Sequence, residues 1–365
     1  MSIMVRKLLR LVLAFVGLVA AYVVVVLAHG TYTDFQPEAV IPLKIQGKSP
    51  LTAIADSNLT LATWNVGYCG LGAESDFFYD KGHFFFSGGM MVAPPEPLSN
   101  KNRKGVQDFL QSQPADFYLL QEVDVDSKRS FHQNQLDSFG KALPNYSYTA
   151  AINYNTPRMP LPLFEPWKAY GKVLGGLGTF CKYAPTAATR LQLPSSYPWP
   201  TRIFQLDRCL GVHRFNTAWG KELVLINIHN SAYDPGGKMK AVEMAFLKNL
   251  LLAEYKKGNY VICGGDWNQN PPNFQAAALG NMKKEVDAEP TPADFLPDGW
   301  IWAFDAATPT NRSLVTPYRE KQSVVTVIDY FLISPNIMLK QVHGVNNEFS
   351  FSDHQSVIMN IVLQK

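Results

Sequence analysis

The chain has 365 residues, 47% apolar and 17% charged, with no internal repeat and no low-complexity tract, which excludes a compositionally disordered protein. Three of the 33 Lys+Arg lie in residues 1–30, which hold no acid, so the remainder carries 30 basic against 30 acidic residues. That balance counts against a nonspecific polyanion binder, whose surface needs a basic surplus, although a local patch stays compatible with it. The four cysteines match no zinc spacing, predict no specific disulfide, and include Cys263 inside an apolar strand, where a plain buried thiol is expected.

Residues 1–30 form the first predicted element. Arg6, Lys7 and Arg10 precede an apolar run that ends at Leu27 and is 20 residues long counted from Leu8. Such a helix spans a hydrocarbon core of about 30 Å. Its basic N-terminal side favours a cytoplasmic N-terminus, with residues 31–365 on the far side. The run is longer than the core of a cleaved signal peptide, so an uncleaved signal-anchor is favoured; "VLAHG" supplies small residues for the alternative, cleavage and secretion. Residues 31–58 read as a tether with some extended structure, and residues 59–365 as one catalytic domain.

From Leu59 onward, apolar strands end in polar residues. "LTLATWNVG" stops at Asn65 and "FYLLQEVD" at Glu122. "LVLINIHNSAYD" ends at His229 and "NYVICGGDWNQN" at Asp266 and Asn268. "VTVIDYFLIS" carries Asp329, and "FSDHQSVIMNIVL" opens with Asp353 and His354 before the last strand. A helix is predicted from Lys238 to Lys257, where Met239, Val242, Phe246, Leu250 and Ala253 recur at helical spacing and Gly258 stops it. Asn102 to Gln113 is a weaker helix, ended by Pro114. Two inserts, Asp76–Asn100 and Tyr154–Gly178, are rich in aromatics, Pro and Gly and read as long substrate-side loops, although any single aromatic in them is expected to pack onto the domain.

Each polar strand end alone is an ordinary cap, turn or surface residue. Their common position is what matters, because α/β scaffolds build sites where strand ends gather. Glu122, Asp266 and Asp353 are hard oxygen donors suited to Mg²⁺ or Mn²⁺. Asn65 and Asn268 can ligate or hydrogen-bond without adding negative charge. His229 and His354 can donate to phosphate oxygens or activate water. No G-x-S-x-G nucleophile, P-loop or dinucleotide fingerprint competes with this phosphoesterase set.

The ordered pieces "TWNVG", "LLQEVD", "LINIHNSAYD", "GGDWNQNP", "VIDYFLIS" and "SDHQSV" resemble the endonuclease/exonuclease/phosphatase superfamily, the DNase I-like fold, over about Leu59 to Leu363. The resemblance implies an α/β four-layer sandwich, two face-to-face mixed β-sheets flanked by helices. It implies Asn65, Glu122 and Asp353 on the metal side, with Glu122 the main ligand. His229 becomes a donor to the scissile phosphate, Asp266 and Asn268 the pair that orients water and phosphate, and Asp329 the buttress of the catalytic His354. It leaves open whether Asp266 or His354 takes the proton from water. "NSAYD" after His229 and Trp267 in place of a common Phe depart from the family without emptying a catalytic position, which argues against a non-catalytic surface binding protein. Trp267 is expected to point into packing, and Gly264 and Gly265 to let the strand end approach its neighbours.

The fold leaves the substrate open. The apolar helix, the neutral domain and the aromatic inserts favour a small or lipid-linked phosphoester; an extracytoplasmic nuclease is the alternative, and nucleic acid the less favoured partner. Arg158, Lys168, Lys172, Arg202 and Arg208 are candidates to contact a substrate phosphate, but for each the reading as an ordinary surface charge is preferred. Sequence assigns no oligomeric state.

Overall fold

The computed structural model describes residues 2–232, 234, 236–279, 283, 284 and 290–365. Its strands form two seven-stranded sheets and a small three-stranded one. The first large sheet runs, in spatial order, Ile337–Gly344, Val357–Leu363, Asn58–Asn65, Phe117–Asp124, Gly171–Cys181, Ser147–Met159 and Gln46–Gly47. The second runs Val40–Pro42, Ala187–Gln192, Cys209–Asn216, Glu222–His229, Tyr260–Asp266, Asp329–Ile333 and Ile301–Ala303.

Both large sheets are mixed, and each contains one parallel pair. Asn58–Asn65 pairs with Phe117–Asp124, placing Asn65 opposite Gln121. Glu222–His229 pairs with Tyr260–Asp266, placing His229 opposite Asp266. Parallel neighbours end on the same side, so polar residues at their C-terminal ends must come together. Asp329–Ile333 runs antiparallel to Tyr260–Asp266, and its first residue, Asp329, therefore lies beside Asp266.

Period-two alternation builds the layers. Leu59, Leu61, Phe117, Leu119, Met359 and Ile361 of the first sheet meet Leu223, Leu225, Tyr260, Ile262 and Phe331 of the second in one buried cluster. The opposite faces are covered by helices. Trp64, Tyr118 and Leu120 pack against Val106, Phe109 and Leu110 of the helix Glu96–Ser112 and against Leu136 and Phe139 of Gln135–Ala142. Val224, Ile226, Val261 and Leu332 pack against Met244, Leu247 and Leu251 of Lys238–Lys256. Each such buried side chain contributes about 1.5–3 kcal/mol. The molecule is thus a helix–sheet–sheet–helix sandwich, as the resemblance implied.

Several local expectations differ. The second insert is largely strand: Tyr154 to Met159 and Gly171 to Gly178 belong to the long hairpin, and only the segment between them loops. Its glycines obscured this because they serve close packing; a Cβ at Gly176 would stand 2.1 Å from the Ala151 carbonyl oxygen. The tether is pinned at two places, Val40–Pro42 to the second sheet and Gln46–Gly47 to the first. The four cysteines are free and buried. The first helix, Ile3–Tyr32, is long and apolar enough to cross a membrane, and the apolar window that qualifies it is not covered by the rest of the protein.

Candidate active site

The two parallel pairs carry their polar termini into one cavity of about 930 Å³, lined by Glu122, His229, Asp266, Asn268, Asp353 and His354 among others. Local backbone devices aim these groups. The ladder is irregular between Leu120 and Val123, and Glu122 takes a φ of 55°. A bulge of this kind turns a side chain out of the normal alternation. At the second pair, Gly265 has a φ of 147°, and a Cβ there would lie 2.0 Å from the Ile228 carbonyl oxygen. At Gly264 a Cβ would meet the Phe331 ring at 2.3 Å. Both glycines are therefore required by close approach at the strand end. Trp267 is fully buried, stacked on Tyr330 at 5.0 Å, with its indole N–H donating to the Tyr330 carbonyl at 3.0 Å.

The side chains form a continuous polar chain. Asp329 Oδ2 lies 2.8 Å from His354 Nδ1. His354 Nε2 lies 3.7 Å from Asp266 Oδ2, 4.0 Å from Asp353 Oδ2 and 3.0 Å from Asn311 Nδ2. His229 Nε2 approaches the same Asp266 oxygen at 3.4 Å. Asn65 Nδ2 donates to Asp266 Oδ2 at 3.0 Å and to Glu122 Oε1 at 3.2 Å, while its Oδ1 accepts from the Gly67 N–H. The Asn268 backbone N–H donates to Asp266 Oδ1 at 2.9 Å, and the Asn268 amide donates to the Asn230 carbonyl at 2.9 Å.

The electrostatics differ from group to group. Burial disfavours the His354 cation, but Asp329, Asp266 and Asp353 around it raise its pKa well above the usual imidazole value. Burial and the Arg208 cation lower that of His229 well below it. Burial works to raise Asp266, yet the two imidazoles, Asn65 and the Asn268 N–H hold it below the usual carboxylate value. Burial raises Asp329 to about 6 against the pull of His354. Asp353 is pushed up to about 7 by burial, with Glu122 adding to the rise.

Two groups of side chains could hold a cation. Asp266, Asp329 and His354 offer donor atoms within 4.8 Å of one another. There, however, His354 Nδ1 is engaged by Asp329, and the surrounding acids favour the imidazolium, which has no lone pair to give. Glu122 and Asp353 are the better fit: both are carboxylates at the cavity, and the Glu122 charge disfavours ionisation of Asp353 until a cation intervenes.

The eight residues singled out in the sequence thus lie together, connected through hydrogen bonds or ion pairs, with Asp353 at the edge beside His354 at the longest separation, 4.0 Å. Sequence reasoning placed Arg208 on the surface; it is only 8% exposed, lines the cavity, and its guanidinium lies 3.4 Å from the His229 carbonyl oxygen. The strand it immediately precedes, Cys209–Asn216, was not among those recognised. Lys168, Lys172 and Arg202 do pair with Glu165, Asp126 and Asp34, and Arg158 is exposed. Three residues were missed. Asn311 reaches His354, and Lys240 donates to the Asn268 carbonyl oxygen at 2.9 Å from the first turn of its helix. The Thr310 hydroxyl accepts the Asp329 N–H at 3.0 Å. For Thr310 and Asn311 the only available signal was "TPTN", a polar run ahead of a short strand, and nothing in the predicted helix singled out Lys240.

The sequence matches the model of the Endonuclease/Exonuclease/phosphatase family over residues 62–354. No curated protein sequence matches it. Among solved structures it is similar to an endonuclease/exonuclease/phosphatase from Beutenbergia cavernae, at 14% identity and a TM-score of 0.52, over 84% of this chain and 72% of that one. A family protein from Leptotrichia buccalis gives 14% identity and a TM-score of 0.52 over 83% and 99%. ANGEL2, described as a 2',3'-cyclic phosphatase, gives 14% and 0.50 over 90% and 100%. These likenesses establish the shared fold. With the family match running from the first central strand to His354, the chain belongs to the Endonuclease/Exonuclease/phosphatase family, whose members are phosphoester-hydrolysing enzymes.

Proposed function

We propose that the protein is a divalent-metal-dependent phosphoesterase, anchored in a membrane by its first helix, that hydrolyses a small or lipid-linked phosphoester by in-line attack of water. The observation that carries this reading is the unbroken chain from Asp329 through His354, Asp266 and Asn65 to Glu122. Asp329 fixes the orientation of His354 through Nδ1, leaving Nε2 directed at the reacting centre. His354 then donates toward a phosphoryl oxygen or the leaving oxygen. Asp266, ionised and held by two N–H donors, orients the attacking water and takes its proton. This assigns the base role to Asp266, because His354 is surrounded by acids that favour its protonated form. His229, neutral beside Arg208, donates one N–H to a non-bridging oxygen, and Asn268 holds the same phosphate from the adjoining turn. Arg208 and Lys240 bring positive charge to the dianionic transition state.

Glu122 and Asp353, with Asn65 beside them, would hold Mg²⁺ or Mn²⁺, which when bound supplies Lewis-acid neutralisation of a phosphoryl oxygen. Asn65 ties Glu122 to Asp266, so the metal side and the water side keep a fixed separation. The lipid-linked substrate class is supported by the apolar helix and by the other wall of the cavity, where Phe77, Tyr154, Met159, Tyr170, Leu206 and Leu314 lie. Arg6, Lys7 and Arg10 in the N-terminal turns of the helix support an extracytoplasmic position for the domain.

The test is hydrolysis of bis-p-nitrophenyl phosphate with Mg²⁺ or Mn²⁺. Asp266→Asn and His354→Ala are expected to lose about 100-fold or more in rate, and EDTA to abolish turnover until metal is restored. Equal rates for wild type and both variants would falsify the reading.

A further inference from the structure

The end of the first helix is docked on the domain. A Cβ at Gly30 would lie 2.9 Å from Ile203 and 3.1 Å from the Phe204 ring, so the helix backbone rests on the turn Thr201–Phe204. The Trp199 indole N–H donates to the Thr31 hydroxyl at 3.0 Å, and Arg202 pairs with Asp34 at 3.3 Å. Leu27, the last residue of the apolar run, is three residues before Gly30, about 5 Å along a helix axis. The turn therefore sits at the level where a spanning helix leaves hydrocarbon. Trp199 is 55% exposed there, at the depth that indoles favour in a membrane interface.

From that turn a run of contacts leads into an aromatic surface. The Gln205 amide donates to the Tyr79 hydroxyl at 2.9 Å, and the Tyr79 ring lies 5.0 Å from Phe84. The two inserts then join: Leu163 and Phe164 donate their N–H groups to the carbonyls of Phe84 and Phe85, and Phe164 stacks on Phe85 at 5.5 Å and lies 5.6 Å from Phe86. Phe84, Phe85, Phe86 and Phe164 are 43%, 57%, 57% and 37% exposed, and Trp167, three residues along the chain from Phe164, is 73% exposed. Exposing this many large rings side by side in water is unfavourable, and such a patch marks an interaction surface. Its continuity with the helix end selects the occupant, because a lipid surface is already present at that level if the helix spans.

We infer that Phe84, Phe85, Phe86, Phe164 and Trp167, together with Trp199, seat the domain on the bilayer entered by its own first helix. The inference rests on the membrane-anchored reading above. It deepens that reading by giving the substrate a route: Tyr79, which carries Phe84, also lines the catalytic cavity, so the cavity opens beside the seated surface.

Tryptophan emission tests this without measuring turnover, so a failure of the phosphoesterase reading leaves the result intact. The first helix contains no Trp. Trp64 and Trp267 are fully buried, and Trp219, Trp300 and Trp302 pack against the core. The full chain is reconstituted into phosphatidylcholine vesicles with or without bromine at acyl positions 6 and 7, about mid-depth in a leaflet. Bromine is expected to quench part of the emission, Trp167→Phe and Trp199→Phe each to remove part of the quenched component, and the double variant nearly all of it. Phe85→Ser with Phe86→Ser, at exposed positions, should keep the thermal transition and lose the Trp167 component. Quenching unchanged by Trp167→Phe would mean that the domain hangs from its helix with the patch in water, which overturns the inference. No quenching in a chain that also fails to float with the vesicles overturns the anchored reading with it.

Discussion

The two walls of the cavity are built on opposite principles. One wall is polar and rises from the ends of central strands: Asn65, Glu122, His229, Asp266 and Asp329 are held by ladder register, a bulge and two crowded glycines. The other is aromatic and rises from insert segments and the long hairpin: Phe77 meets Tyr79 and Tyr170 ring to ring, Tyr154 lies in the same buried cluster, and Arg129 sits 3.8 Å over the Tyr68 ring, paired with Asp124. Chemistry needs atoms fixed to a fraction of an ångström, which regular ladders supply. Substrate fit tolerates looser packing and changes more readily by loop replacement. The contrast predicts that catalysis and substrate fit respond to different mutations.

The sharpest attempt to break that separation is Asp266→Asn. It should remove about 100–10,000-fold of kcat while KM moves little, since the loss falls on the transition state; a comparable effect on KM alone would mean that the polar wall only binds. Asp329→Asn acts through His354 and should cost less, about 10–1,000-fold, while shifting the pH–rate profile because the imidazole loses its buried partner. Gly265→Ala addresses the scaffold. With the Ile228 carbonyl 2.0 Å from the new methyl, it should destabilise by about 3 kcal/mol, read as a lowered denaturant midpoint.

His213 supplies a reference away from both walls. It is fully buried on the second sheet, lies 2.7 Å from the Thr149 hydroxyl, and is lowered to about 4 by burial. An unfolded chain takes up this proton at about pH 6.5, ahead of the folded protein. Its contribution is therefore fully present above that pH and is lost as the pH falls to about 4, a span of about 3 kcal/mol at most. His213→Gln should flatten that part of the stability curve without moving the pH dependence of kcat. The smallest expected effect is on the aromatic wall: Phe77→Ala should raise KM for bis-p-nitrophenyl phosphate about 3–10-fold, with a lesser change in kcat.

Most of the polar wall was legible because its residues interrupt apolar strands. A Glu, His or Asp closing a run such as "FYLLQ", "LINI" or "VICGG" has no packing reason to be there, so its presence points to a site. The helix Lys238–Lys256 was legible by its period, and the first helix by its length. The Gly171–Cys181 strand was not, since glycines that admit close backbone approach carry the same letters as glycines that make loops. Nor was Arg208, because charge in a sequence reads as surface until the fold buries it. Thr310 and Asn311 act from a short segment whose position depends entirely on tertiary pairing with the His354 region. The Gln135–Ala142 helix has only two turns, too short for a periodic pattern to declare itself.

Two interior amides tie the two sheets together. Gln121 of the first sheet donates to Asn227 of the second at 2.8 Å, and Asn227 returns bonds to the Leu120 and Gly178 carbonyls, each at 3.2 Å. Each amide immediately precedes or nearly precedes a site residue, Glu122 in one case and His229 in the other. Neither half of the polar wall is complete on its own sheet, so a refolding chain with both sheets formed but not yet closed on each other carries no activity. Recovery of turnover after dilution from denaturant would therefore time the closing of the sandwich, while far-ultraviolet circular dichroism times the sheets themselves, and the interval between the two signals is the lifetime of that half-assembled state.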